Sequence, residues 1–217
     1  MIFLLVAGVT ALATFLASAL TLRFALRYKI HPPVRERDVH SVPTPRLGGV
    51  AMFLGVCVAF ATAAFLPQFQ NVFADPGSVI ALLGATLFIV VIGIADDLLD
   101  LDWMIKLGAQ FLAAGLVAWQ GVQILSLPIG GITVGSSTMS MILTIFTIVL
   151  VMNAVNFIDG LDGLVAGVTL IGSGAFFVYI NVLSRDMGQQ NTYFSLASLI
   201  TAVLIGACIG FLPYNWH

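Results

Sequence analysis

Residues 78–95 read SVIALLGATLFIVVIGIA, and residues 96–102 directly after them read DDLLDLD. An uncharged run that long, followed by Asp96, Asp97, Asp100 and Asp102, cannot keep both halves in one solvent. About 20 apolar residues wound as helix cross the roughly 30 Å hydrocarbon core of a bilayer. The stretch is therefore read as a transmembrane helix that delivers a cluster of carboxylates to one membrane face.

The rest of the chain repeats the pattern. Apolar runs fall at about 2–22, 47–66, 78–95, 104–120, 138–156, 163–183 and 192–212, each near the length a span needs. The breaks between them carry turn chemistry or charge: His31-Pro32-Pro33, Pro67 to Gln70, Asp75-Pro76-Gly77, Pro128 to Gly131 and Ser184 to Asn191. Gly121 to Ser137, apolar and Gly-rich, is expected to form a short extracytoplasmic hairpin. Of 217 residues 60% are hydrophobic and 8% charged, with a mean hydropathy of +1.09. A soluble domain carries about 25% charged residues, so most of this surface must face lipid. The expected fold is all-α: a polytopic transmembrane helical bundle of about seven spans, organised as a single domain over 1–217.

Sidedness follows from lysine and arginine. Arg23, Arg27, Lys29, Arg35, Arg37 and Arg46 crowd the first connection, which the positive-inside rule assigns to the cytoplasm. Counting spans outward from there puts the N-terminus outside, the C-terminal end inside, Lys106 inside and Arg185 outside. No basic residue precedes the first apolar run, the reverse of a secretory signal peptide, so that run is read as a retained helix. Cys57 and Cys208 lie inside apolar runs and are read as reduced, buried thiols. A net charge of −2 and a pI of about 5.8 give no footing for a nucleic-acid partner.

Acids contribute little to topology, so their placement is independent information. Asp96, Asp97, Asp100, Asp102, Asp159 and Asp162 all fall at the inner ends of the third to sixth runs. In the first cluster, continued helix would put Asp96 and Asp100 on one face at i,i+4 and Asp97 beside Asp100 at i,i+3. Like charges that close need a cation or a basic partner, and Lys106 is near in sequence. A solvated loop is the plain alternative. The second cluster, Asn153-x-x-Asn156-x-x-Asp159-Gly160-x-Asp162-Gly163, repeats amide and carboxylate oxygens at i,i+3 along one helical edge. Polar groups in such an apolar run are costly and usually face a cavity or partner; helix-to-helix amide glue is the alternative. Oxygen donors suit Mg²⁺, and no Cys/His spacing suits zinc. The basic segment Arg35 to Gly49 opens onto Gly48-Gly49, where arginine, histidine and helix-start amides would suit an anion; topology alone also accounts for a basic loop.

At these residues a resemblance becomes specific. His40-Ser41-Val42-Pro43-Thr44-Pro45-Arg46-Leu47-Gly48-Gly49, Asp96-Asp97-x-x-Asp100 and the Asn153 to Leu164 segment resemble, in that order, the motifs of the polyprenyl-phosphate N-acetylhexosamine-1-phosphate transferases. Arg46 after Pro-Thr-Pro is more similar to the branch that uses UDP-N-acetylglucosamine than to the branch making the first peptidoglycan lipid. The resemblance implies a multi-pass plasma-membrane enzyme with a cytoplasmic active face. It would transfer a sugar-1-phosphate from a UDP-sugar to polyprenyl phosphate and release UMP, with Mg²⁺ (Mn²⁺ as substitute) and a homodimer as further expectations. Residue by residue it implies Asp96 and Asp97 as the catalytic acidic pair near the lipid phosphate, Asp96 being the favoured base or positioning group. It implies Asn156 at the metal, Asp159 and Asp162 near the nucleotide, and Asn153, Asp100, Arg46 and His40 as further substrate contacts. Phe211 to His217 resembles the lead-in to a later motif that carries another metal-binding Asp, so the resemblance implies a C-terminally incomplete chain. A carboxylate-lined transporter or channel and a non-catalytic membrane scaffold are the competing classes; transporter sites usually lie near the bilayer midplane.

The seven-to-one division of basic residues predicts that Ser41→Cys and Asp162→Cys variants resist an impermeant thiol reagent in intact cells, whereas a Gln189→Cys variant reacts. Labelling of the Ser41→Cys variant from outside would overturn the sidedness.

Overall fold

A computed structural model describes residues 1–28, 48–125, 136–159, 161–186 and 192–216. His40, Arg46 and Gly160, together with most of the basic connection and of the expected hairpin, lie outside the described residues. All regular structure among the described residues is helical, in the order α1 (Ile2–Tyr28), α2 (Gly48–Ala64), a 3₁₀ turn (Pro67–Phe69), α3 (Gln70–Ala74), α4 (Gly77–Leu99), α5 (Trp103–Trp119), α6 (Ser137–Ile158), α7 (Leu164–Asp186) and α8 (Thr192–Asn215).

Each of the seven apolar runs coincides with a helix of 17 residues or more. Five helices pass by length and composition: α1, α4, α6, α7 and α8. A sixth span results if α2 and the Pro67–Ala74 segment, bent 96° from each other, count as one. Pro67 accounts for the break, because the residue before a proline is steered out of the helical region, and Leu66 is extended at φ −93° and ψ 126°. The expected fourth span, α5, has 17 residues, about 26 Å of helix, at the short end of the roughly 17–25 residues that cross a bilayer core. Its limits are set by Asp102, whose side chain caps the N-terminus, and by the turn at Gln120 and Gly121, the latter at φ +85°.

The chain folds as two compact units, Met1–Ala74 with Gly160–His217, and Asp75–Asp159. In the first, α1 packs against α2 and α8, and α7 packs against α8. Apolar side chains gain little from leaving lipid for protein, so helices associate in a membrane mainly where small residues let backbones approach. Gly206 and Gly210, four apart on α8, provide that approach. A Cβ on Gly206 would run into the Ala7 carbonyl and lie 2.7 Å from Thr10 Cβ, and one on Gly210 would strike the Ala11 carbonyl of α1. Half of the α8 window is buried accordingly, against 11% for α6. At one end of this unit Phe3 meets Phe69 and Phe177 edge-on, with ring centroids 5.5 and 5.4 Å apart.

In the second unit α5 packs against both α4 and α6. Ala85, Ala113 and Val117 form its small core, flanked by Ile89 and Ile148. Polar groups tie the end opposite the acids: Ser78 Oγ donates to the Gln120 carbonyl at 3.2 Å, the Ile124 amide donates to Thr144 Oγ1 at 2.8 Å, and Ser140 Oγ donates to the Ile124 carbonyl. Hydroxyls along the helices close on their own backbone, as Thr10, Thr86 and Thr147 do on the carbonyl four residues back, which spares them an unmet donor in lipid.

Gly210→Leu should force α1 from α8, because the obstructing atoms are backbone and cannot rotate away. Overpacking of that kind costs about 1–3 kcal/mol, to be read as a lowered thermal midpoint in detergent. Gly8→Leu, with nothing within 4 Å of its added Cβ, should leave the midpoint near wild type.

Candidate active site

The acidic run ends α4. Asp96 and Asp97 occupy its last turns, partly buried. Asp100 stands just beyond the final helical residue in the left-handed region at φ 50° and ψ 64°, with its amide donating to the Asp96 carbonyl at 2.9 Å. Aspartate is among the few residues that enter this region readily. The expected i,i+4 alignment of Asp96 with Asp100 is therefore not formed: the helix stops one residue early, and Asp100 turns the chain. Asp102 also has a structural task, its carboxylate accepting from the Met104 amide at 2.7 Å as the N-cap of α5.

Asp96 is heavily engaged. The ammonium of Lys106, one turn into α5, lies 3.2 Å from each of its carboxylate oxygens, and the Leu101 amide donates to Oδ1 at 3.0 Å. The side chains are 30% exposed for Asp96 and 39% for Lys106, so the pair sits at a wet edge, not in a sealed core.

On α6 the amide edge is realised for Asn153 and Asn156, both exposed. The helix ends at Ile158, and Asp159 leaves helical geometry at φ −78° and ψ 52°. The edge thus holds two amides, with the exposed carboxylate of Asp159 at the cap. Asn153 Nδ2 donates to the Val149 carbonyl at 2.8 Å and to Gln110 Oε1 of α5 at 2.6 Å. A carbonyl can only accept, so the orientation of both amide groups follows, and Asn153 Oδ1 is left as the acceptor of its group.

Asp162 belongs to the other unit, exposed in the turn before α7. Its neighbour Gly163 takes φ +70°, and Trp216, Leu212 and the Asn215 carbonyl lie 3.5–3.9 Å from where a Cβ would stand. Gly163 thus makes a left-handed turn seated on the end of α8. Among the described residues no group of three His, Cys, Asp or Glu is gathered to hold a metal. Mg²⁺ commonly takes one or two carboxylates and completes its shell with water and substrate phosphate, and the oxygen-only set at the end of α6 fits such a partial site.

Comparison with known proteins now adds to this geometry. Residues 79–217 match the sequence profile of glycosyl transferase family 4. The chain belongs to that family. It is 40% identical over 98% of its length to the decaprenyl-phosphate N-acetylglucosaminephosphotransferase of Mycolicibacterium smegmatis, covering 53% of that protein. It is 30% identical over its whole length to a Bacillus subtilis protein named "Probable undecaprenyl-phosphate N-acetylglucosaminyl 1-phosphate transferase", covering 57% of it. A phospho-N-acetylmuramoyl-pentapeptide-transferase of Desulforudis audaxviator is 30% identical over 99% of the chain, with 68% of that protein covered. The chain thus spans about half the length of the N-acetylglucosamine relatives it matches. The 40% identity to the decaprenyl-phosphate N-acetylglucosaminephosphotransferase, against 30% to the pentapeptide-transferase, agrees with the reading of Arg46 after Pro-Thr-Pro. These matches give the transporter reading no support.

Two residues that pattern reading passed over as site candidates stand out. Lys106 was marked only as the nearest base in sequence, and Gln110 drew no attention because its partner, Asn153, lies 43 positions away. Their i,i+4 spacing on α5 was the available signal.

Asp102→Asn should stay within about 0.5 kcal/mol of wild type, because asparagine caps as well as aspartate, whereas Asp102→Ala should lose about 1 kcal/mol. Gly163→Ala should lose about 1–2 kcal/mol through its left-handed backbone. Thermal unfolding in detergent measures all three.

Proposed function

We propose that this chain is part of an enzyme that transfers N-acetylglucosamine-1-phosphate, or a related N-acetylhexosamine-1-phosphate, from a UDP-sugar to polyprenyl phosphate. The observation that carries the proposal is 40% identity along nearly the whole chain to decaprenyl-phosphate N-acetylglucosaminephosphotransferases. The active face would be cytoplasmic, at the plasma membrane.

In this reading a lipid phosphate oxygen forms a bond to the sugar-bearing phosphorus of the UDP-sugar, while the bond from that phosphorus to the bridging oxygen breaks. The electron pair leaves with UMP. Both reactants are anions, so the residues must orient them and contain the repulsion. Asp97 faces the lipid phosphate beside Asp96, whose oxygens are already held by Lys106 and the Leu101 amide. Asn156 would supply an oxygen for Mg²⁺, Asp159 and Asp162 would serve the nucleotide, and Asn153, Asp100, Arg46 and His40 would be outer substrate contacts. When bound, Mg²⁺ would offset charge on the diphosphate and on departing UMP. Long apolar helix faces, such as Leu150 at 70% and Ile171 at 74% exposure, suit a reaction whose acceptor carries a prenyl tail that must stay in lipid.

The test is radiolabelled sugar transfer from several UDP-sugars into extractable lipid, in membranes expressing the complete open reading frame. Chelation should abolish transfer and Mg²⁺ should restore it. Asp97→Asn and Asp159→Asn should each lower the rate about 10²–10³-fold, the usual cost of one lost charge contact at a transition state, with insertion unchanged. No transfer from any UDP-sugar by the wild type, or full activity in both variants, would overturn the proposal.

A further inference from the structure

We propose that Lys106 and Gln110 are positioning residues, and that α5 is the part that sets the acidic run of α4 and the amide edge of α6 in place. The inference deepens the transferase reading and rests on it for its kinetic consequences.

Lys106 and Gln110 are four apart on α5, so they lie on one face, one above the other. Each reaches out to a different neighbour. Lys106 takes both oxygens of Asp96 at 3.2 Å, and Gln110 accepts from Asn153 at 2.6 Å. A single helical turn of α5 thereby touches one residue from each chemically loaded motif, and α5 packs on both helices that carry them. A fixed turn is a stiff spacer, so the two motifs inherit a set separation along the axis of α5.

Charge gives a second argument. Between Leu47 and Ser184 the sequence contains seven acids and one base, Lys106. A lone cation in so acidic a stretch could serve any of the carboxylates. It is placed on Asp96, whose Oδ1 also receives the Leu101 amide. The ammonium and the amide together hold the Asp96 carboxylate at the turn that Asp100 makes. Gln110 does the corresponding work on Asn153. By spending Oε1 on the Asn153 NH₂, whose other hydrogen goes to Val149, it leaves Asn153 Oδ1 presented as an acceptor. Groups that orient a site's ligands in this way are commonly worth 10–100-fold.

The experiment uses the complete open reading frame and two readouts. In the transfer assay Lys106→Met and Gln110→Leu should each lower kcat about 10–100-fold, with KM for the UDP-sugar changed less than about 3-fold. Lys106→Arg and Gln110→Glu, which keep the cation and the acceptor, should recover most of the loss. Lys106→Met should cost nothing further in an Asp96→Asn background, nor Gln110→Leu in an Asn153→Ala background, because each acts through its partner. Independent, multiplying losses in those double variants would overturn the proposal. The second readout needs no activity: deuterium uptake by the peptide covering Leu98 to Trp103 should quicken in Lys106→Met but not in Lys106→Arg. Unchanged uptake would overturn the clamp even if transfer proceeds, whereas quickened uptake in a protein that transfers nothing would leave the clamp standing and remove the transferase reading.

Discussion

A peptide group in hydrocarbon has no water to turn to, and each unmet donor or acceptor there costs several kcal/mol. That cost governs the chain from end to end. It makes every regular element among the described residues a helix, and it sends hydroxyls such as Thr10 and Thr147 back onto their own carbonyls. It also confines irregular backbone to the helix ends, and those ends are where the reactive residues gather. Asp100 and Gly163 can take left-handed conformations there because water, caps and neighbouring side chains meet the groups released by the turn.

Within that frame the two units use different contacts for different ends. The first is joined by backbone approach, α1 against α8 across Gly206 and Gly210, with aromatic edges from Phe3, Phe69 and Phe177. The second has a slight alanine-and-valine core and relies on directional polar bonds at both ends of α5. Ser78, Thr144 and Ser140 fix one end, while Lys106 and Gln110 fix the other. Apolar surface has little drive to leave lipid for protein, so geometry in this unit is specified by hydrogen bonds, and the chemistry sits beside the most specific of them.

The helices were legible in the sequence because hydropathy over about 20 residues reports the same bilayer constraint that forms them. The seven long helices followed from that, though not the 3₁₀ turn at Pro67–Phe69, the short α3, or the last six residues of α1. What was not legible depended on local backbone or on distant partners. Spacing left open whether α4 continues through Asp100 or gives way to a loop, because helical periodicity carries no information about where a helix stops. The left-handed turn at Asp100 and the N-cap at Asp102 decide it instead. The Asp102 cap and the turn at Gln120 and Gly121 bound α5 at Trp103 and Trp119, one residue from the apolar run at either end. The acidic run and the amide edge were visible as motifs, but the Lys106 and Gln110 contacts join residues 10 and 43 positions apart, beyond the reach of a local pattern. The placement of Gly163 against Trp216 was hidden for the same reason.

The contact between α1 and α8 joins one helix to another made roughly two hundred residues later. At about 5–20 residues per second the ribosome needs on the order of 10–40 s to cover that distance. For that interval the surface of α1 that will receive Gly206 and Gly210, with Ala7, Thr10 and Ala11 along it, must wait in lipid or against a temporary neighbour. α2 reaches the membrane early and packs on α1 as well, so it can hold the first helix upright in the meantime. Assembly of the first unit is therefore a late event that closes over an early pair, and the order of synthesis is written into which helices touch.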